Sequence, residues 1–484
     1  MTQEQISKIL EISVALSAEH DRELLLSAIL DAGMDLCHCD AGTLYLLEDD
    51  GLHFCRMNTR SMGVRQGGHD HPIVLPPVPL TPSHICARAV LDKKLINVPD
   101  VHDNNEFDFS GAKRYDSMTG YNTRSMMVVP LVNDKGTIIG VMQLINSLDD
   151  NGEVSDFTEE MEYILSAVSS QAAISITNMQ YSERINLLLD SLVQSLSTAI
   201  DEITPYNANH TRNMVKYADA FIDWLNEQET DWKFDETAKR GFLMSVGLHD
   251  VGKLTVPLSV MDKQNRLTPE DLLIVTARFD RMALVFKIDY LEGRINKDEY
   301  EALCKERDEA IDFILAVNTA GFLPDEKLVK LEEIAKKSFI NEKGESELWI
   351  NAAERHCLSI RKGTLTAEER GAMENHVVAT AKILEKVSFP KEYRMVPIWA
   401  ADHHELLNGK GYPVHKQGED ICKEVRLLTI LDVFDALTAK DRPYKPGMPV
   451  EKALSILHSM VDEGGIDNNI LGLFEASKSW EEKQ

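Results

Sequence analysis

Five histidines and two aspartates beyond residue 200 stand in settings that suit metal chemistry. They are His210 in NANHTRNM, His249 and Asp250 in GLHDVGK, His376 in MENHVVAT, His403 and His404 in DHHELLNG, and Asp432 in TILDVFDAL. Neutral imidazole nitrogens and hard carboxylate oxygens together suit iron, manganese, zinc or a similar divalent ion. An aspartate directly after a histidine can bridge two such ions with its two oxygens. Two ions a few ångströms apart can clamp a phosphodiester and deprotonate a water between them. A lone buried histidine is usually a hydrogen-bonded core residue, and His356, His415 and His458 are read that way. That reading fails for the set, because each member adjoins an apolar helical run, and so many buried polar groups without a purpose would be costly.

The elements that must position these residues are helices, since the region from about 200 to 478 is mostly helical by pattern. Within it, a stretch from about 275 to 350, including FDRMALVFKIDYLEGRINKDEYEALCKERDEAIDFILAVN, has helical periodicity and dense charge but no ligand cluster. It reads as an inserted helical hairpin.

The whole chain sets the outer bounds. At 484 residues it exceeds what one hydrophobic core usually supports, and 43% hydrophobic with 27% charged residues is ordinary for a folded globular protein. The formal charge of −28, from 51 basic and 79 acidic side chains, repels phosphate polymers and anionic lipid, so neither a nucleic-acid polymer nor a membrane surface is an expected partner. No run approaches a membrane span, and MTQEQISKIL lacks the pattern of a signal peptide, which makes the expected location cytoplasmic. Seven scattered cysteines suit reduced thiols, and Cys37-His38-Cys39 lacks the spacing of a zinc ribbon.

Residues 1–178 mix helical and strand patterns. ISKILEISVALSAEHDRELLLSAILDAGMDL has apolar residues at helical spacing, while GTLYLLEDDGLHFCRMNT and TRSMMVVPLVNDKGTIIGVMQLIN read as hairpins around acidic-Gly and Asp-Lys-Gly turns. Thr158 is a candidate N-cap for a long closing helix. This α+β order, with GVMQLINSLDDNGEVSDFTEE, resembles a GAF domain, a sensory module that binds a small ligand or pairs with another copy. Residues 179–200 continue the helix, with Ile185, Leu188, Leu192, Leu196 and Ala199 as a stripe for a dimerising signalling connector. The same stripe would also serve to pack against the next domain.

HDVGK, HHELLNGKGYP and DVFDALTAKDRPYK, in that order, resemble the signature of the HD-GYP family, over residues 201–484 with the helical insertion. The resemblance implies a GAF domain, a connecting helix and a C-terminal all-α HD-type phosphohydrolase. It implies a metal-dependent hydrolase of cyclic di-GMP, with two divalent transition ions, iron or manganese. His210, His249, Asp250 and Asp432 would hold one ion, and Asp250, His376, His403 and His404 the other. Asp250 would bridge them, and Lys253 would neutralise a phosphate oxygen and the charge on the leaving alkoxide. Arg442 and Lys445 would reach a second phosphate, and a loop fixed by Gly409, Gly411 and Pro413, with Tyr412, would border the substrate or a partner surface. Some family members bind a third ion with a glutamate four residues before the first histidine. Tyr206 stands there, so two ions are expected. Expected partners are a second copy, through the GAF domain and connecting helix, and GGDEF-type signalling proteins. Two alternatives stay open: another cyclic dinucleotide such as cyclic GMP-AMP as substrate, or a catalytically silent scaffold.

Overall fold

The computed structural model describes residues 3–19, 21–68, 71–203, 209–439 and 447–481. It contains two compact units, Met1–Leu188 and Leu189–Gln484.

In the first unit, helices α1 (Gln3–Ala18) and α2 (Arg22–Leu36) precede strands β1 (Cys39–Glu48), β2 (Gly51–Thr59) and β3 (Val64–Gln66). Then come α3 (Ile85–Asp92), β4 (Ile96–Val98), α4 (Ser110–Thr119), β5 (Met126–Val132), β6 (Ile138–Leu148) and β7 (Val154–Ser155). The strands form one antiparallel sheet in the order β3-β2-β1-β6-β5-β4, with β7 also on β6. Alternation along the strands makes two cores. Leu44, Leu46, Met127, Val129, Met142 and Leu144 face a layer of Leu25, Ile29, Met34, Leu165 and Ile176, whereas Tyr45, Met126, Val128 and Val141 face Ile85, Val90 and Phe109. Cys37 and Cys39 point into the first of these cores while His38 is exposed, so the three do not converge on one site. Burial pushes the Cys37 thiol up to about 12.

Thr158 accepts from the Met161 amide and starts the 45-residue helix α5 (Glu159–Ile203). In the second unit, Leu189, Val193, Leu196 and Ile200 of this helix pack with Met244, Leu248, Val396 and Ala400. The stripe read from the sequence is therefore divided: Ile185, Leu188 and Leu192 are exposed, and Leu196 joins a core.

The second unit continues with α6 (His210–Glu227), α7 (Glu236–Leu248), a 3-10 turn (Val251–Thr255) and α8 (Leu258–Met261). The insertion follows, with α9 (Pro269–Leu291), α10 (Lys297–Asn318), α11 (Asp325–Ala335), the hairpin β8 (Ser338–Ile340) and β9 (Ser346–Leu348), and α12 (Ala352–Leu358). It is larger than a helical hairpin and has its own core, from Leu267 through Phe279, Ile314 and Trp349 to Leu358. Its ends meet. The Thr364 hydroxyl donates to the Lys263 carbonyl at 3.0 Å, and the Lys263 ammonium lies 2.7 Å from each Glu369 oxygen. The chain then completes the helical unit with α13 (Ala367–Glu374), α14 (His376–Leu384), α15 (Val396–Ala401), α16 (Lys423–Thr438), α17 (Val450–Asp462) and α18 (Asn468–Ser477). Phe221, Phe242, Leu428, Leu431, Phe434 and Phe474 fill the core between α6, α7, α16 and α18. No described helix is long and apolar enough to cross a membrane.

Candidate metal centre

Helix ends deliver most of the candidate ligands. His210 opens α6, His249 caps α7 with Asp250 next, His376 opens α14, and His403 and His404 follow the end of α15. Asp432 instead projects from within α16. All seven converge. Asp250 Oδ2 lies 3.2 Å from His249 Nε2 and 3.8 Å from His210 Nε2, while its Oδ1 lies 3.4 Å from His376 Nε2 and 3.9 Å from His403 Nε2. Asp432 Oδ1 is 3.3 Å from His210 Nε2, and its Oδ2 is 3.7 Å from His404 Nδ1. Two donor groups result, His210–His249–Asp250 and His376–His403–His404, each with ligand atoms within 4.8 Å of one another.

The backbone fixes which nitrogen of each ring is offered. His249, His376 and His403 each set Nδ1 2.7 Å from the carbonyl oxygen three residues earlier, of Val246, Met373 and Ala400. A carbonyl only accepts, so Nδ1 carries the proton and Nε2 turns its lone pair inward. His210 is held alike through Asp435, whose Oδ2 is 2.6 Å from Nδ1. Asp435 was absent from the sequence reading, yet DVFDAL places it three residues after Asp432, on the same face of a helix.

Electrostatics favour cations here. Burial drives His403 far below the ordinary imidazole range, lowers His376, and brings His404 down to about 4, so these rings are neutral at pH 7. Burial would also lower His210, but hydrogen bonds to Asp432 and Asp435 outweigh it and hold that ring at about 9, so an ion bound there would replace the proton on Nε2. For Asp250 burial is outweighed by Lys253 and His249, and for Asp432 by His210, so both carboxyls sit well below their usual range. Lys253 Nζ, 2.5 Å from Asp250 Oδ2, is close enough to balance one of these charges. His249 Nε2 and Asp250 Oδ1 are buried and have no hydrogen-bond partner among the described residues. Such orphans cost roughly 1–3 kcal/mol each unless something binds them, and the donor set fits a pair of divalent transition ions.

Two threonines tie the ligand-bearing segments together. Thr380, one turn after His376, donates to the His249 carbonyl at 3.0 Å and accepts from the Gly252 amide at 2.9 Å. Thr429, three residues before Asp432, donates to the His403 carbonyl at 2.8 Å. Neither was singled out from sequence, since a threonine inside a helix gives no pattern to read.

The loop after the histidine pair is held by its own flanks. Glu405 is buried and accepts from the Val414 and Lys416 amides at 2.7 and 2.9 Å, and the Lys416 ammonium pairs with Asp402. In DHHE, therefore, the outer acids hold the loop while the inner histidines face the centre. A Cβ on Gly411 would lie 2.4 Å from the His404 carbonyl oxygen and 2.3 Å from the Leu406 nitrogen, so its lack of a side chain permits this close approach. Tyr412 is half-buried, and its ring centre is 4.8 Å from that of His404. Of the two loop residues expected to border substrate, Tyr412 reaches the centre and Gly411 shapes the backbone. Tyr206, Arg442 and Lys445 lie outside the described residues. His356 and His458 are not core residues: both are exposed and face Glu368 and Glu475, and His415 is exposed too.

Residues 21–176 match the GAF domain family and residues 353–470 the HD domain family. Over 106 residues the chain is 39% identical to 3'3'-cGAMP-specific phosphodiesterase 3 of Vibrio cholerae serotype O1, covering 21% of this chain and 22% of that protein. Over 100 residues it is 34% identical to the cyclic di-GMP phosphodiesterase response regulator RpfG of Xanthomonas campestris pv. campestris, covering 21% of this chain and 26% of that one. The chain thus spans about a quarter or less of the length of these relatives. The GAF domain of an Acinetobacter phosphoenolpyruvate-protein phosphotransferase aligns with 38% of this chain and 99% of its own, at 14% identity and a TM-score of 0.30. The chain carries a GAF domain followed by an HD domain, and HDVGK with HHELLNGKGYP is the wording in which the latter resembles HD-GYP proteins.

Proposed function

We propose that this protein hydrolyses the phosphodiester bonds of a cyclic dinucleotide, cyclic di-GMP first, at the centre built around Asp250. The observation that carries the reading is the division of labour at that carboxylate, with Oδ2 toward His210 and His249 and Oδ1 toward His376 and His403. Two divalent ions, iron or manganese, would be held by His210, His249, Asp250 and Asp432 on one side and Asp250, His376, His403 and His404 on the other. When bound, they supply Lewis acidity toward the phosphoryl oxygens and activation of a water. The chain's own groups do the rest. The fixed Nδ1 protons keep the inward lone pairs in register, Lys253 offsets phosphate charge beside Asp250, and Tyr412 lines the approach next to His404. Arg442 and Lys445 are proposed as contacts to the second phosphate.

A closely related reading takes 3'3'-cyclic GMP-AMP as substrate, and the 39% identity to a phosphodiesterase named for it favours giving that compound equal place in the test. In the remaining reading the HD domain is a silent binding scaffold. Pairing of two copies through the GAF domain and α5 is part of the proposal, supported by exposed Ile185, Leu188 and Leu192, as is docking of GGDEF-type proteins. The experiment is anaerobic purification with metal analysis, followed by chromatography of products from both cyclic dinucleotides. About two ions per chain and a linear dinucleotide or mononucleotide product are expected. Metal without product from either compound would leave the scaffold, and no metal after anaerobic loading would refute the centre.

A further inference from the structure

The insertion encloses its own core, yet one helix of it turns an apolar face outward. On α9, Leu273, Ile274, Leu284, Ile288 and Leu291 are between 46% and 71% exposed, while Val275, Phe279, Met282 and Phe286 on the other side are buried. The exposed positions Leu273, Ala277, Asp280, Leu284, Lys287 and Leu291 recur at alternating spacings of four and three, the repeat of a helix that pairs with another helix. Together these side chains run roughly 27 Å along the helix at 1.5 Å per residue. Exposed leucines and isoleucines at both ends of this face, with Leu284 between them, mark an interaction face.

The charges on its edges identify what fits there. Asp280 and Lys287 lie along one edge of the stripe, and Ile274 and Ile288 along the other. Neither Asp280 nor Lys287 has a side-chain partner among the described residues. We propose that this face binds the same face of a second copy, antiparallel about a twofold axis. In that arrangement like edges meet in reverse. Asp280 comes beside the partner's Lys287 and Lys287 beside the partner's Asp280, Ile274 beside the partner's Ile288, and Leu273 beside the partner's Leu291. With the axis beside Met282 the Leu273–Leu291 pair is level, and the isoleucine and Asp280–Lys287 pairs are offset by two and three residues, roughly 3 and 4.5 Å along the axis, which these side chains can span. A parallel pairing would instead set the Asp280–Lys287 edge against the isoleucine edge and leave both charges on apolar surface. This interface is separate from the metal centre and does not depend on its chemistry.

Light scattering of the full chain across a concentration series tests it. Because the GAF domain and α5 together offer another route to association, the variants are made on a Leu188→Glu, Leu192→Glu background, in which that route is lost and the α9 face is expected to hold the dimer. On it, Leu284→Glu halves the mass with the helical circular dichroism unchanged. Asp280→Lys and Lys287→Asp each raise the dimer dissociation constant by roughly tenfold, and the double exchange restores it because the pair is remade in the opposite sense. A monomeric background protein overturns the proposal, as does a Leu284→Glu variant of undiminished mass. An exchange double variant no tighter than the singles also overturns it, since that result assigns the face to an occupant other than a second copy.

Discussion

Asp435 holds His210 by the ring nitrogen that faces away from the candidate ions, with Oδ2 2.6 Å from Nδ1 and the carboxylate fully buried. A carboxylate behind a ligating imidazole fixes the ring's tautomer and orientation and raises its basicity. Asp435→Ala is therefore expected to weaken metal retention by roughly 10- to 100-fold. Asp435→Asn keeps an acceptor for the Nδ1 proton and loses less. Chelator competition followed by metal analysis measures both, and an alanine variant that holds metal like the parent would show that Asp435 only fills space.

The difference between Asp435 and the ligands in front of it shows what was legible in the sequence. Histidines beside acids or beside each other stand out because such groups are rarely buried without a task, and acidic-Gly and Asp-Lys-Gly turns mark hairpins because Gly51 and Gly136 take positive φ angles there. The β1–β2 and β5–β6 hairpins lie where those turns placed them. Asp435 was readable by its three-residue spacing from Asp432. The β8–β9 hairpin was also readable, in FINEKGESELWI, where Gly344 has φ 81°. Thr380 and Thr429 were not, because their partners are 131 and 26 residues away, and only packing brings them together. On α5, periodicity gave the stripe but not its division, since a helix pattern cannot say where one unit ends and another core begins.

Thr380 joins two segments that each carry ligands. Thr380→Val keeps the shape but leaves the buried Gly252 amide without its acceptor and removes the donor to the His249 carbonyl, at an expected cost of about 1–3 kcal/mol. Thr380→Ser retains the hydroxyl and is expected to lose less. Denaturant midpoints of the metal-loaded proteins decide the matter, and a serine variant as weak as the valine variant would place the effect in the methyl group instead.

Two glycines of the same region predict opposite outcomes. A Cβ at Gly252 would sit 1.8 Å from the His376 carbonyl oxygen and 2.6 Å from the Thr380 nitrogen, both backbone atoms that cannot step aside. Gly252→Ala should therefore push α14 from the turn after Asp250, at a cost of about 3 kcal/mol or more, and displace His376 from the centre with loss of metal. At Gly371, within α13, a Cβ meets nothing within 4 Å, and Gly371→Ala should stabilise by about 0.5–1 kcal/mol through the chain entropy of the unfolded state. Thermal unfolding of the two variants beside the parent gives the answer, and a shift in the same direction for both would contradict the packing described at Gly252.

Asp250 and Lys253 touch, but their expected roles separate in a single pair of measurements. Asp250 faces both donor groups, so Asp250→Ala should remove metal and hydrolysis together. Lys253 lies 2.5 Å from Asp250 Oδ2 and is not a candidate ligand, because an ammonium has no lone pair to offer. Lys253→Ala should keep both ions and lower the turnover of a cyclic dinucleotide by roughly 100- to 1,000-fold, the range for losing one group that stabilises developing charge. Since the lysine also offsets one of the crowded carboxylates, its loss should leave metal affinity equal or higher. Parallel metal analysis and product chromatography therefore distinguish the cases: a Lys253→Ala protein that loses its ions would make the lysine a structural support of Asp250, and one that turns over like the parent would remove it from the reaction.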